Sequence, residues 1–159
     1  MAAPTPGLEQ AFTLILDRAP PVDIGATGNG GARSHVALRG GTFAWQDTGG
    51  QDAGGQGVGG QGWTGEGTIL QVVAGSETLM RRADGVCTVE AQYLLRGETG
   101  ACLRLFGTGH RLTQGDFAGL RLALLVEAAE DGPFAPLATR VYLGEQAEGA
   151  PAMTIWRIT

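Results

Sequence analysis

Val86-Cys87-Thr88-Val89-Glu90-Ala91-Gln92-Tyr93-Leu94-Leu95-Arg96, then Gly97-Glu98-Thr99-Gly100, then Ala101-Cys102-Leu103-Arg104-Leu105-Phe106-Gly107-Thr108 is the stretch that decides the fold. Both flanks are rich in aliphatic, β-branched and aromatic residues, with no Pro inside. The short connector is bounded by Gly at each end. That combination predicts two antiparallel strands joined as a hairpin.

The same grammar runs outward in both directions. Leu79 to Arg82 reads as a short strand leading into Ala83-Asp84-Gly85, a turn carrying the favoured Asp-Gly pair. Gly67 to Val73 is a strand, and the small residues of Ala74 to Thr78 read as a turn or short crossing. Earlier still, Ala11 to Asp17 is a strand stopped by Pro20-Pro21, and Arg33 to Trp45 is another. The Gly40-Gly41 doublet inside it marks a bulge or sharp bend. Downstream, Thr113 to Glu127 is ambiguous: Leu120, Leu122, Leu124 and Val126 alternate as in a strand, yet the Gly-Asp-Phe-Ala-Gly start at 115 suits a helix cap. Thr139 to Leu143 and Met153 to Ile158 close the series. Eight or so strands against one short helix mean an all-β chain, an antiparallel barrel or sandwich in a single domain over residues 1–159.

Residues 46–66 differ in kind. Gly-Gly-Gln recurs at 49, 54 and 59, with almost nothing to bury. Such a segment cannot offset the entropy of ordering, so a flexible surface loop is expected. A phosphate-cradling loop would run straight into a helix and, in the nucleoside-triphosphatase version, carry a Lys. No helix pattern follows, and all 11 basic residues are Arg.

Composition narrows the function classes. The chain has 159 residues, 43% hydrophobic and 17% charged, with a formal charge of −5. A domain near this length buries roughly two-thirds of its unfolded surface, enough for a real core. An acidic surface with scattered Arg repels phosphate backbones, so nucleic acid is not an expected partner. The apolar runs are too short for a membrane helix, and the opening Met1-Ala2-Ala3-Pro4-Thr5-Pro6-Gly7 lacks the charged and apolar regions of a secretory signal. A cytoplasmic protein is expected. Cys87 and Cys102 form neither a disulfide framework nor a zinc set, and read as small buried residues.

The chemistry-bearing candidates follow from strand parity. If the connector is Gly97 to Gly100, Arg96 pairs with Ala101. Tyr93 then lies opposite Arg104 and Cys87 near His110, all on one face. A face mixing phenol, guanidinium and imidazole suits a pocket, although Arg104 and His110 on a solvated outer face is the competing reading. A slip of one residue exchanges the partners. Glu77, near an apolar barrel mouth, is the candidate general acid or base, or a solvated turn residue; His110 is suited to the same task. Arg33 has the guanidinium geometry that grips a carboxylate with two parallel bonds, or is a surface charge. No G-x-S-x-G elbow, metal triad or alternating βα pattern is present, and a Cys87–His110 pair lacks an activating charge. No metal or cofactor is expected.

The block Gly31-Ala32-Arg33-Ser34-His35-Val36-Ala37-Leu38-Arg39-Gly40-Gly41-Thr42-Phe43 resembles the G-R-R-x-x-x-I-x-G-G-x-F block of the domain-of-unknown-function 3237 family. Arg82-Ala83-Asp84-Gly85 followed by Glu90-Ala91-Gln92-Tyr93 is similar to its R-x-D-G and a-R-Y hairpin. Leu137 to Gly144 is similar to its W-L-N-x-x-x-F-x-G ending. Ala74-Gly75-Ser76-Glu77-Thr78 stands where the family has Gly-Gly-Ala-Asp-Trp, so Glu77 replaces an Asp and Thr78 a Trp. Pro136 and Ala138 replace a second Trp and an Asn. The resemblance implies a closed calycin-like barrel, similar to allene oxide cyclase and lipocalins. It also implies a cofactor-free lyase, decarboxylase or cyclase acting on small aromatic or polyketide-like acids.

Three functions are therefore carried forward. In the first, Arg33 and Arg104 hold the carboxylate of a hydrophobic acid, Glu77 or His110 moves the proton, and Tyr93 donates to developing oxyanion charge. In the second, the same barrel carries the acid without turnover. In the third, the barrel is a homo-oligomer or partner scaffold.

Overall fold

The computed structural model describes residues 5–28, 30–45, 69–113, 115 and 117–159; the loop expected at 46–66 lies outside the described residues. Nine strands follow in chain order: β1 (Leu8–Arg18), β2 (Val22–Ala26), β3 (Ala32–Trp45), β4 (Ile69–Arg81), β5 (Cys87–Arg96), β6 (Cys102–Leu112), β7 (Gly119–Ala128), β8 (Tyr142–Ala147) and β9 (Ala152–Ile158). The only helical element among the described residues is a 3₁₀ turn at Ala135–Thr139.

From β3 to β9 every strand is antiparallel to its neighbour, β9 pairs with β1, and β1 pairs back onto β3. Eight strands thus close an antiparallel barrel, which removes the sheet edges that an open β-structure would have to protect. β3 is shared: its second half pairs with β1 and its first four residues pair with β2. β2 is exposed along its whole length and lacks any alternation of buried positions, which is why sequence pattern does not announce it.

Alternation fills the interior. Cys87, Val89, Ala91, Tyr93 and Leu95 of β5 and Leu120, Leu122, Leu124 and Val126 of β7 point inward and are buried. From Gly119 onward the ambiguous segment is a strand, because its leucines at every second position have a barrel interior to enter. One end of the barrel is plugged by aromatic and aliphatic side chains. Phe12 packs on Phe43 at 4.5 Å and on Tyr142 at 5.4 Å, and the 3₁₀ turn adds Leu137, whose carbonyl accepts a bond from the Tyr142 hydroxyl at 3.3 Å.

Two bulges decide what faces the opposite end. The first lies one residue before the Gly40-Gly41 doublet: β1 pairs Asp17 with Gly40 and Arg18 with Leu38, leaving Arg39 as the extra residue, so Val36 and Phe43, an odd number of residues apart, are both buried. The second bulge lies between Val72 and Ala74 and likewise brings Val72 and Glu77 to the same, inner face. The turn expected over Ala74–Thr78 is therefore corrected to mid-strand. These small residues lie between two strands, Ser76 pairing with Ala37 on one side and Gln92 on the other. A Cβ on Gly75 would stand 2.5 Å from the Gln92 carbonyl oxygen, so close pairing with β5 requires the glycine. The strand expected at Thr139–Leu143 also shifts: the 3₁₀ turn, with Pro136 in its first turn, ends at Thr139 and β8 starts only at Tyr142.

Candidate functional site

Glu77 is the one buried charged side chain among the described residues, 1% exposed. It stands inside the barrel toward the end opposite the aromatic plug. Arg18, the last residue of β1, donates from Nε to Oε2 at 2.9 Å and from Nη2 to Oε1 at 2.7 Å. The Tyr93 hydroxyl donates to Oε1 at 2.7 Å. A carboxylate has about four lone-pair sites; these bonds fill both on Oε1 and one on Oε2. Among the described residues one acceptor site on Oε2 stays open.

Arg18 is held on its other side as well. Its Nη2 donates to the Gln146 side-chain oxygen at 3.1 Å, and Gln146 is itself fixed by its Nε2 bond to the Ala150 carbonyl at 2.7 Å. Arg18 is 22% exposed, the outermost member of the Tyr93–Glu77–Arg18 chain. Burial is the larger influence on its titration and disfavours the cation. The hydrogen bond and the charge of Glu77 act the other way, and together with Tyr93 leave its pKa above the ordinary arginine value. Burial, then the Glu77 charge, pushes the Tyr93 hydroxyl well above the usual phenol range, so Tyr93 is a neutral donor.

Two cavities open on this end. One of about 250 Å³ is lined by Arg18, Arg111, Leu120, Gln146 and the Ala147–Ala150 turn. The other, about 520 Å³, is lined by Ser34, Leu79, Arg81, Cys87 and Arg111 and by residues of β2. Arg111 belongs to both. It pairs with Cys87 on β5 and Leu120 on β7, two buried residues, and so shares their inward face.

Glu77 and Tyr93 are thus brought together; the other expected site residues are not with them. The pairing of Tyr93 with Arg104 is corrected: Tyr93 lies opposite Leu105, and Arg104 lies opposite Leu94 on the outer wall. The slip comes from the connector. Gly97 N bonds the Ala101 carbonyl at 2.9 Å, Gly100 N bonds the Gly97 carbonyl at 3.0 Å, and Gly100 has φ +88°. This is a tight turn followed by a left-handed glycine bulge, so Arg96 pairs with Cys102, one residue later than a four-residue loop gives. Arg104 bonds Glu127 and Gln92 outside the barrel. His110 is exposed beside Thr88 and Arg121. Cys87 is therefore opposite Arg111 rather than near His110, and Cys102, expected to be buried, is exposed.

Arg33 lies opposite Met80, on the face away from Glu77, and its Nη2 donates to the Met80 sulfur at 3.6 Å. It also borders the 520 Å³ cavity. Thr78 faces outward opposite His35 and Glu90, while Pro136 and Ala138 sit in the 3₁₀ turn at the plugged end. Sequence reasoning missed Arg18, Arg111 and Gln146. Parity carries the signal for the first: Phe12, Leu14 and Leu16 point inward, and Arg18 continues their spacing. Among the described residues no group of three or more His, Cys, Asp or Glu side chains is placed to hold a metal ion.

The sequence profile of the family described as "Protein of unknown function (DUF3237)" matches residues 6–150. The chain belongs to the DUF3237 family. Solved structures share the fold of this DUF3237 protein over nearly its full length. An enzyme from Penicillium herquei is 19% identical, with a TM-score of 0.71, covering 100% of this chain and 99% of that one. A conserved protein of unknown function from Rhodopseudomonas palustris is 18% identical at a TM-score of 0.73, covering 99% and 100%. A beta-barrel like protein from Acinetobacter baumannii is 17% identical at a TM-score of 0.75, covering 99% of each. No curated protein matches significantly in sequence. No helix among the described residues of the DUF3237 barrel is long and apolar enough to cross a membrane.

Proposed function

We propose that this protein is a cofactor-independent lyase, decarboxylase or cyclase that acts on a hydrophobic or aromatic carboxylic acid at the open end of the barrel. The observation that carries the reading is the buried Glu77 carboxylate, held by Tyr93 and by an Arg18 that reaches the wall of a cavity. A charge is costly to bury unless it is fully paired, and here an acceptor site on Oε2 is left unfilled. In the proposed step a proton leaves the substrate carbon for that site, and the C–H electron pair moves onto the substrate's carbonyl or carboxyl oxygen. Arg18, drawn outward by the bound anion, takes up the developing charge, while Tyr93 keeps its bond to Oε1. In the lyase case the enolate then collapses to a C=C bond, the β-substituent leaves with its bonding electron pair, and Glu77 returns the proton to that leaving group, which completes the cycle. That a fold neighbour from Penicillium herquei is described as an enzyme supports the class.

The alternative is a carrier for the same acid, and one observation favours it: Arg18 lines the smaller cavity, with Glu77 and Tyr93 behind it. Product analysis on a panel of aromatic and polyketide-type acids separates the two. Glu77→Gln should cut turnover about 100-fold or more, the usual worth of an acid–base group, and keep the melting-temperature rise that the acid produces in the native protein. Turnover at the native rate in Glu77→Gln sinks the proton-transfer step. Ligand-induced stabilisation with no product from any acid leaves the carrier.

A further inference from the structure

Arg111 is an unexplained charge on the inner face of this barrel. Among the described residues its buried Nε has no hydrogen-bond partner and its guanidinium forms no ion pair. On the inner face of this end the other buried demands are met, Glu77 by Arg18 and Tyr93 and Arg18 in turn by Gln146; the Nε of Arg33, also buried and unpartnered among the described residues, belongs to the outward face of β3. A buried guanidinium N–H without an acceptor costs stability, and Arg111 lines both cavities. In the smaller cavity it lines the wall with Arg18, whose Nε and Nη2 are committed to Glu77 and Gln146 while Nη1 has no bond among the described residues. The one carboxylate lining that cavity, Glu148, is exposed on its rim and pairs with neither arginine.

We propose that Arg111 and Arg18 form a seat for the substrate carboxylate, which lies between the two guanidiniums in the 250 Å³ cavity. The hydrophobic body then extends past Arg111 into the 520 Å³ cavity, against Leu79 and Cys87. A planar carboxylate accepts parallel N–H bonds from a guanidinium fork, a match that an ammonium lacks. The seat rests on the acid-substrate reading above and supplies the anchor that Arg104 does not provide.

The test is calorimetric titration of benzoate, 1-naphthoate and the uncharged 1-naphthamide into the native protein, Arg111→Met and Arg104→Gln, with melting temperatures of each. The native protein should bind the two carboxylates at least tenfold more tightly than the amide. Arg111→Met should bring naphthoate down to the level of naphthamide, whereas Arg104→Gln should not. Without ligand, Arg111→Met should melt no lower than the native protein, because the buried N–H without an acceptor is gone. Arg111→Lys keeps the charge and loses the fork, so it should fall between the two and stands in if the Met variant does not fold. The seat is overturned if native protein binds naphthoate no better than naphthamide, or if Arg111→Met keeps native naphthoate affinity. Because Glu77→Gln turnover is scored separately on the wider acid panel, the seat can fail while the enzyme reading stands, and the reverse.

Discussion

The Arg18 guanidinium holds both oxygens of Glu77, across 59 residues of chain, from the last residue of β1 to the inner face of β4. Both strands must be in register for this fork to form, and the β4 bulge must stand before Ala74. The pair is therefore a product of the closed barrel. Removing one partner should hurt more than removing both. Glu77→Gln should destabilise the fold by about 2–3 kcal/mol, below the usual cost of breaking a fully buried pair because Arg18 reaches solvent. Arg18→Met with Glu77→Leu should lose less than either single change. Denaturant unfolding of the three variants checks this, and an additive double variant would show that the two side chains do not interact.

Tyr93 gives the site a signature at high pH. Burial, and then the Glu77 charge, raises its hydroxyl well above the usual value near 10, so the folded state holds this proton where the unfolded chain releases it. The resulting stability is complete below about pH 10 and falls as pH climbs above that value toward the folded pKa. Tyr142, pushed up to about 12 mainly by burial, contributes in the same direction. Tyr93→Phe should cost about 1–2 kcal/mol near neutral pH through the lost bond to Glu77. Its stability should also decline less steeply than that of the native protein above pH 10. Equal slopes in the two proteins would refute the shift.

The outer-wall pair makes a contrasting case. Arg104 shares Glu127 and Gln92 in an exposed cluster, and His110 stands on the same side of the sheet. Exposed ion pairs contribute about 0–1 kcal/mol. Arg104→Ala and His110→Ala should each move the unfolding free energy by about 0.5 kcal/mol or less and leave acid binding unchanged. A tenfold loss of acid affinity in either variant would return the outer wall to the site.

The pattern of failure in reading the sequence is physical. Strand identity was legible wherever one face is buried, as in Leu120 to Val126, because alternation records burial. It was illegible where that record is missing: β2 is exposed throughout, and Ala74-Gly75-Ser76 carries the composition of a turn while pairing on both sides. The site depended on something finer. Glu77 and Tyr93 can be named from the resemblance and from chemistry, but a register one residue off puts Arg104 and His110 on Tyr93's face, and the competing outer-wall reading is the one that matches the observed pairing. Arg111 takes the inward position instead. A single left-handed glycine makes that difference.

That glycine belongs to a repeated device. Thr27 to Gly31, Arg82 to Val86 and Gly97 to Ala101 close with the same two backbone bonds, the first residue's N–H to the fifth carbonyl and the fourth residue's N–H to the first carbonyl. Their fourth residues, Gly30, Gly85 and Gly100, have φ of +81°, +84° and +88°. A Cβ at Gly85 or Gly100 would meet nothing within 4 Å, so the cost of Ala there is purely conformational. Gly85→Ala and Gly100→Ala should each lose about 1 kcal/mol, read as a lower unfolding midpoint. Gly41 is the harsher test: φ is +150° and its Cβ would stand 2.2 Å from the Ile15 carbonyl oxygen, in the seam where β1 closes on β3. Gly41→Ala should therefore lose more than both hairpin variants. If it melts with them, the paired seam next to the Arg39 bulge tolerates a side chain and the inward turn of Phe43 does not depend on glycine.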